Sequence, residues 1–131
     1  ETDLVTGLSF TTGGNLTWTG ENGIVSDGSD AAQSGKITHG QKTWMQTAIT
    51  GPFTISFSQK VSSELTYDTL KFSIDGAVKS TISGEVNWQK KSFTITTPGT
   101  HILKWQYSKN AALSSGLDAA WVDTVVVSAI P

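Results

Sequence analysis

The chain has 131 residues, a formal net charge of −2 and only 15% charged residues, and all nine of its basic residues are lysine. That balance argues against nucleic acid as a partner, because phosphate contact and base readout lean on clustered Lys and Arg. No apolar run is long enough to enter a bilayer, no segment reads as a signal peptide, and the absence of cysteine excludes a disulfide framework and a thiol nucleophile.

A hydrophobic fraction of 37% supplies one core, while Ser, Thr, Asn and Gln supply much of the polar surface, a composition that suits an extracellular β domain. The abrupt start at Glu1 and stop at Pro131 suggest a single module over residues 1–131, cut from a larger secreted protein.

In chain order, Leu4 to Phe10 reads as a strand, closed by a turn at Thr12-Gly13-Gly14-Asn15 where paired glycines tolerate positive φ. Leu16-Thr17-Trp18 and Ile24-Val25 are short apolar stretches, and Ser26 to Asp30 is loop chemistry. Lys36 to Gly40 reads as a short strand and turn, and Gln41 to Thr50 as a strand carrying Trp44 and Met45. From Pro52 the alternation is clean, with Phe53, Ile55 and Phe57 on one face and Thr54, Ser56 and Ser58 on the other. Leu70, Phe72 and Ile74 alternate up to Asp75-Gly76, and Val78 to Ile82 returns, which is a strong hairpin signal. Phe93 and Ile95 alternate up to Thr97-Pro98-Gly99. Then His101, Leu103, Trp105 and Tyr107 share one face, with Ile102, Lys104 and Gln106 opposite.

No stretch carries a helical period. Roughly ten short strands with turn signals about every ten residues predict an all-β, two-sheet antiparallel sandwich.

The final stretch, Gly116 to Ser128, read as a strand, is apolar on both faces, which places it in the middle of a sheet or in a sandwich. Strict alternation puts Trp121, Asp123, Val125 and Val127 together on one buried face. A buried carboxylate needs backbone donors, a lysine or a cation, since leaving it ionised and alone costs several kcal/mol.

Residues with catalytic spacing are absent. His39 and His101 are the sole imidazoles, and both read as turn-edge surface residues; no Gly-x-Ser-x-Gly elbow is present, and Glu21, Glu64, Asp68 and Glu85 are scattered. The chain is read as a non-enzyme. Asp27, Asp30, Asp118 and Asp123 could supply carboxylates to a structural calcium ion; equally, Asp27 and Asp30 could form Asx turns and Asp123 cap a neighbouring backbone.

Five Trp and two Tyr remain. A sugar ring packs its C–H face on an exposed indole while neighbouring polar groups bond its hydroxyls. Trp105 and Trp121 read as core. Trp18 and Trp88 lie at strand ends among polar residues and are the expected platforms, with Glu21, Asn22, Asn87 and Lys109 as hydrogen-bonding partners; the alternative, and the commoner fate of a tryptophan, is a ring packed at the rim of the core.

The run Gly116-Leu117-Asp118-Ala119-Ala120-Trp121-Val122-Asp123-Thr124-Val125-Val126-Val127 resembles the closing strand of MAM-like, concanavalin-like jelly-roll domains. Asp30 to Gly35, Phe53 to Glu64, Leu70 to Gly76, Trp88-Gln89 and Trp105 to Lys109 are similar to bacterial relatives of that group. The resemblance implies a jelly roll with a cation near the closing Asp, which maps onto Asp123 and Asp30. Animal MAM domains carry Cys pairs that this chain lacks, so their adhesion role does not carry over.

The expectation is therefore a non-catalytic, carbohydrate-binding jelly-roll module of a secreted or surface bacterial protein. Its partners would be a polysaccharide or glycan and the neighbouring domains of the parent, with no nucleic acid and no membrane insertion, and it would act as a monomer. The alternative is a structural or adhesion spacer without a sugar ligand.

Overall fold

The computed structural model describes residues 10–16, 18–21, 31–34, 37, 40–63, 67–109 and 119–130, with backbone alone at 19–21, 31 and 124. Among the described residues there are eight strands: β1 (Thr11–Gly14), β2 (Thr19–Glu21), β3 (Ala31–Gln33), β4 (Lys42–Ser62), β5 (Thr69–Ile74), β6 (Ala77–Ser83), β7 (Glu85–Ser108) and β8 (Ala119–Ala129). All their pairings are antiparallel.

Two strands account for the architecture. β4 has 21 residues and β7 has 24, and they pair with each other along almost their whole length. The first half of β4 and the second half of β7 belong to one layer, ordered β1-β4-β7-β5-β6. Their other halves belong to a second layer, ordered β2-β3-β8-β4-β7. The turn signals at Gly51-Pro52 and Thr97-Pro98-Gly99 predict chain reversals; instead Gly51 pairs with Gly99 and both strands bend there together. A Cβ on Gly51 would meet the Thr97 carbonyl oxygen, so the bend needs a residue without one. The expected ten short strands are thus fewer and longer, because a corner shared by two paired strands leaves their ladder intact.

Alternation continues through the bend. Thr43, Met45 and Thr47 before it, and Phe53, Ile55, Phe57, Gln59 and Val61 after it, are all buried. Phe57 of the second layer meets Phe72 of the first at 4.7 Å and Trp105 at 5.3 Å between ring centroids, so the two layers pack face to face through an aromatic cluster. Each such ring contributes about 2–3 kcal/mol by leaving water. Gln59 is buried among them, and its Nε2 donates to Ser80 Oγ and Gln89 Oε1, both at 3.1 Å, linking the layers with polar contacts. This is the all-β, two-layer antiparallel sandwich that the alternation predicts, of the jelly-roll class that the resemblance implies.

Asp75 and Gly76 turn the β5–β6 hairpin at φ of 52° and 84°, the left-handed pair that a two-residue hairpin turn requires. Two local expectations change. Gly13 and Gly14 belong to strand β1 rather than to a turn. In β8 one extra residue lies between Asp123 and Val126, opposite Ser56 to Ser58. That bulge turns Val125 towards the core with Val122 and Val127, and leaves Trp121 and Asp123 on the other face, opposite Lys60 and Ser58. Leu4 to Ser9 and Ile24-Val25 lie outside the described residues.

Candidate functional site

The outer face of the first layer carries a groove of about 360 Å³, lined by Gln46, Lys71, Ser73, Gly76, Val78, Ile102, Lys104 and Gln106. These side chains share a face because they alternate with the buried ones: Met45 with Gln46, Phe72 with Lys71 and Ser73, and Leu103 and Trp105 with Lys104 and Gln106. Register aligns them into rows. Trp44 pairs with Gln106, which pairs with Lys71; Gln46 pairs with Lys104, which pairs with Ser73. Trp44 is half-buried at one side of these rows, its ring lying over Gly13 of β1. A Cβ on Gly13 would come within 2.5 Å of Trp44 Cζ2, so the ring's seat depends on that glycine. Lys104 Nζ stands 5.1 Å over the Trp44 ring.

This arrangement offers amides, a hydroxyl and ammonium groups beside an indole, on a rigid ladder. Such a surface can hold polyhydroxylated ligands by combined stacking and hydrogen bonding.

A second cleft of about 330 Å³ opens between β6 of the first layer and the first half of β7 in the second. Ile74, Phe93 and Ile95 give it an apolar floor, with Asp75, Lys79, Thr97 and His101 around it. His101 is 9% exposed rather than a surface residue. Its Nδ1 lies 2.6 Å from Asp75 Oδ2, and its Nε2 lies 3.2 Å from Thr97 Oγ1 and 3.1 Å from the Thr97 carbonyl oxygen.

The imidazole is held from both sides: Nδ1 donates to the carboxylate, and when the ring carries its second proton Nε2 donates to the Thr97 carbonyl, which can only accept. The Asp75 bond, helped by the Thr97 carbonyl, raises the His101 pKa above its usual 6.5. Ile102 N–H donating to Asp75 Oδ1 at 2.8 Å, with the His101 bond, holds Asp75 below its usual 3.8. The trio is a pin that ties the β5–β6 turn to the bend of β7.

Among the described residues, those singled out from sequence do not come together in one place. Trp18 is 2% exposed and packs in the core cluster, so it offers no ring face to a ligand. Its neighbours in sequence are polar, which hides that the ring packs in the core while the backbone N–H donates to Thr12 Oγ1 at 2.7 Å. Lys109 is also buried, at 6% exposure. Asn87 is exposed and Trp88 half-buried, but both lie on β7 in the second layer, where Asn87 Oδ1 accepts the Trp88 N–H. Glu21 is placed by backbone alone, and Asn22 lies outside the described residues. Among the metal candidates, Asp123 is fully buried, while Asp27, Asp30 and Asp118 lie outside the described residues. Among the described residues no three His, Cys, Asp or Glu side chains converge. No helix among them is long and apolar enough to cross a membrane.

Trp44 was open to detection. By period two it shares a face with Lys42 and Gln46 and opposes Met45, which marks it as the outward tryptophan.

No protein-family model matches the chain, and no relative is found among curated proteins. Solved structures do match. The secreted serine protease VesC from Vibrio cholerae aligns with 97% of this chain and 26% of its own at 13% identity and a TM-score of 0.72. A carbohydrate-binding module of the β-sandwich superfamily aligns with 96% of this chain and 59% of its own at 12% identity and 0.61. The module TmCBM61, solved in complex with β-1,4-galactotriose, aligns with 92% of this chain and 88% of its own at 12% identity and 0.52. The chain thus spans about a quarter of VesC but most of TmCBM61. At such identities the likeness shows the fold, and that fold is a β-sandwich shared with carbohydrate-binding modules.

Proposed function

We propose that the chain is a carbohydrate-binding module, non-catalytic itself, that holds a polysaccharide on the outer face of its first layer and keeps a secreted parent protein at its substrate. The observation that carries this reading is the groove lined by Gln46, Lys71, Ser73, Lys104 and Gln106, with the partly exposed Trp44 beside it on the same outward face. Trp44 provides the stacking surface, and the amide, hydroxyl and ammonium groups bond sugar hydroxyls. An open groove of this size leaves a polymer free to run past both ends, so one module binds weakly and gains from multivalency in the parent. The sandwich likeness to carbohydrate-binding modules agrees with this reading at the level of fold.

Affinity gel electrophoresis against a panel of soluble polysaccharides tests it. At least one polymer should retard the chain, and Trp44→Ala should abolish that retardation while the variant still melts cooperatively. If no polymer retards it, or if Trp44→Ala is silent, the reading falls and the spacer or adhesion role takes its place. A structural calcium ion, to which Asp27, Asp30, Asp118 and Asp123 would supply carboxylates, stands as a separate proposal. It predicts that EDTA lowers the melting temperature, and an unchanged melt removes it.

A further inference from the structure

The groove is one-sided in charge. Lys71 and Lys104 both line it, its other polar side chains are neutral, and no carboxylate lines it among the described residues. Lys104 pairs with Ser73 and Lys71 with Gln106, so the two lysines occupy diagonal positions on neighbouring strands. Lys42 shares the outward face of β4 with Trp44 and Gln46 and adds a third positive group. Asp75 adjoins the groove residue Gly76, but its oxygens are taken by Ile102 N–H and His101. A chain of net charge −2 therefore gathers positive charge on the face that carries Trp44. Like charges held together on a rigid sheet attract an anion.

We propose that the glycan bound here is anionic, a polysaccharide bearing carboxylates or sulfate esters. This rests on the reading of the groove as a glycan site. Lys104 is the discriminating residue. With its ammonium 5.1 Å over the Trp44 ring, a sugar that stacks on the indole must move it aside. A neutral sugar gives the displaced ammonium only hydroxyl contacts, whereas a carboxylate or sulfate gives it a charge-assisted hydrogen bond. Lys71, diagonal to Lys104 across the strand pair, meets a second charge on the same polymer.

The test uses the whole chain with three probes: polygalacturonate, the same polymer fully methyl-esterified, and a sulfated galactan. Binding is expected for one or both charged polymers and not for the methyl ester; which charged polymer binds separates carboxylate from sulfate. Raising NaCl from about 20 mM to about 300 mM should weaken binding several-fold, because the screening length falls below the reach of the groove. Lys71→Gln and Lys104→Gln should each weaken it about three- to fivefold with unchanged melting, as expected for exposed ion pairs. Binding of the methyl ester as tight as that of polygalacturonate, salt-independent binding, or two silent lysine variants overturns the anionic preference. In those cases Trp44-dependent retardation by a neutral polymer still upholds the glycan site. If none of the three probes binds, the preference is overturned, and the neutral panel then decides the site itself.

Discussion

The sandwich carries two tryptophan–lysine pairs on outward-facing ladder positions, one in each layer. Trp44 has Lys104 at 5.1 Å and is half-buried; Trp121 has its ladder partner Lys60 at 5.9 Å and is almost wholly buried. Neither indole points into the aromatic core between the layers. One outer face has stayed available to solvent, and the other has been covered and has taken in a carboxylate, Asp123, beside its tryptophan. The same local chemistry thus lies on an open outer surface in one layer and in a second, smaller interior in the other. Outward direction in a strand does not by itself mean exposure.

The contrast can be broken most sharply at the covered face. Trp121→Ala should cost about 3–5 kcal/mol in a denaturant melt, the usual loss for a buried indole, whereas Trp44→Ala should cost about 1 kcal/mol or less and act on binding. Equal losses would mean that the two faces do not differ as described. Asp123→Ala comes next. Removing a fully buried carboxylate strands whatever it satisfies, and a loss of about 1–3 kcal/mol is expected. A variant that melts like the parent would show that the carboxylate satisfies nothing.

Gly13→Ala sharpens the other side. Its new Cβ would press on Trp44 Cζ2 and shift the ring, so polysaccharide retardation should fall more than the melting temperature does. The smallest effect concerns pH and the pin between the layers. The His101 pKa is raised, so its contribution is complete below 6.5 and is lost as pH rises through the raised value. Asp75 is lowered, so its contribution is complete above 3.8 and is lost as pH falls through the lowered value. The pin is therefore fullest between 3.8 and 6.5. A thermal melt series should decline on the alkaline side of that window, and His101→Gln should flatten the decline; an identical profile in the variant would dismiss the pin.

The alternation of Phe53, Ile55 and Phe57, of Leu70, Phe72 and Ile74, and of Leu103, Trp105 and Tyr107 announces the sandwich, because each strand buries one face and wets the other. The Asp75-Gly76 hairpin is equally plain. The bulge in β8 is not legible, since an extra residue between Asp123 and Val126 leaves no mark in an apolar run, and it regroups the faces of that strand. Nor is the merging of four apparent strands into β4 and β7, because Gly-Pro and Pro-Gly serve corners as readily as reversals. Trp18 misleads for a simpler reason: polar neighbours at a strand end describe the chain, not what packs over the ring. His101 is read as a surface residue because its partners, Asp75 and Thr97, come together only once the β5–β6 turn folds against the bend of β7.

The shared corner at Gly51 and Gly99 has a mechanical side. In a sandwich whose layers met only through side chains, they could slide once those contacts loosened. Here two hydrogen-bonded strands run through both layers like the spine of a book, with Gly51 and Gly99 at the fold. The covers can tilt about that spine but cannot shear past each other. A displacement of the second layer at β8 therefore passes along β4, through the shared corner, to the half of that strand that carries Trp44.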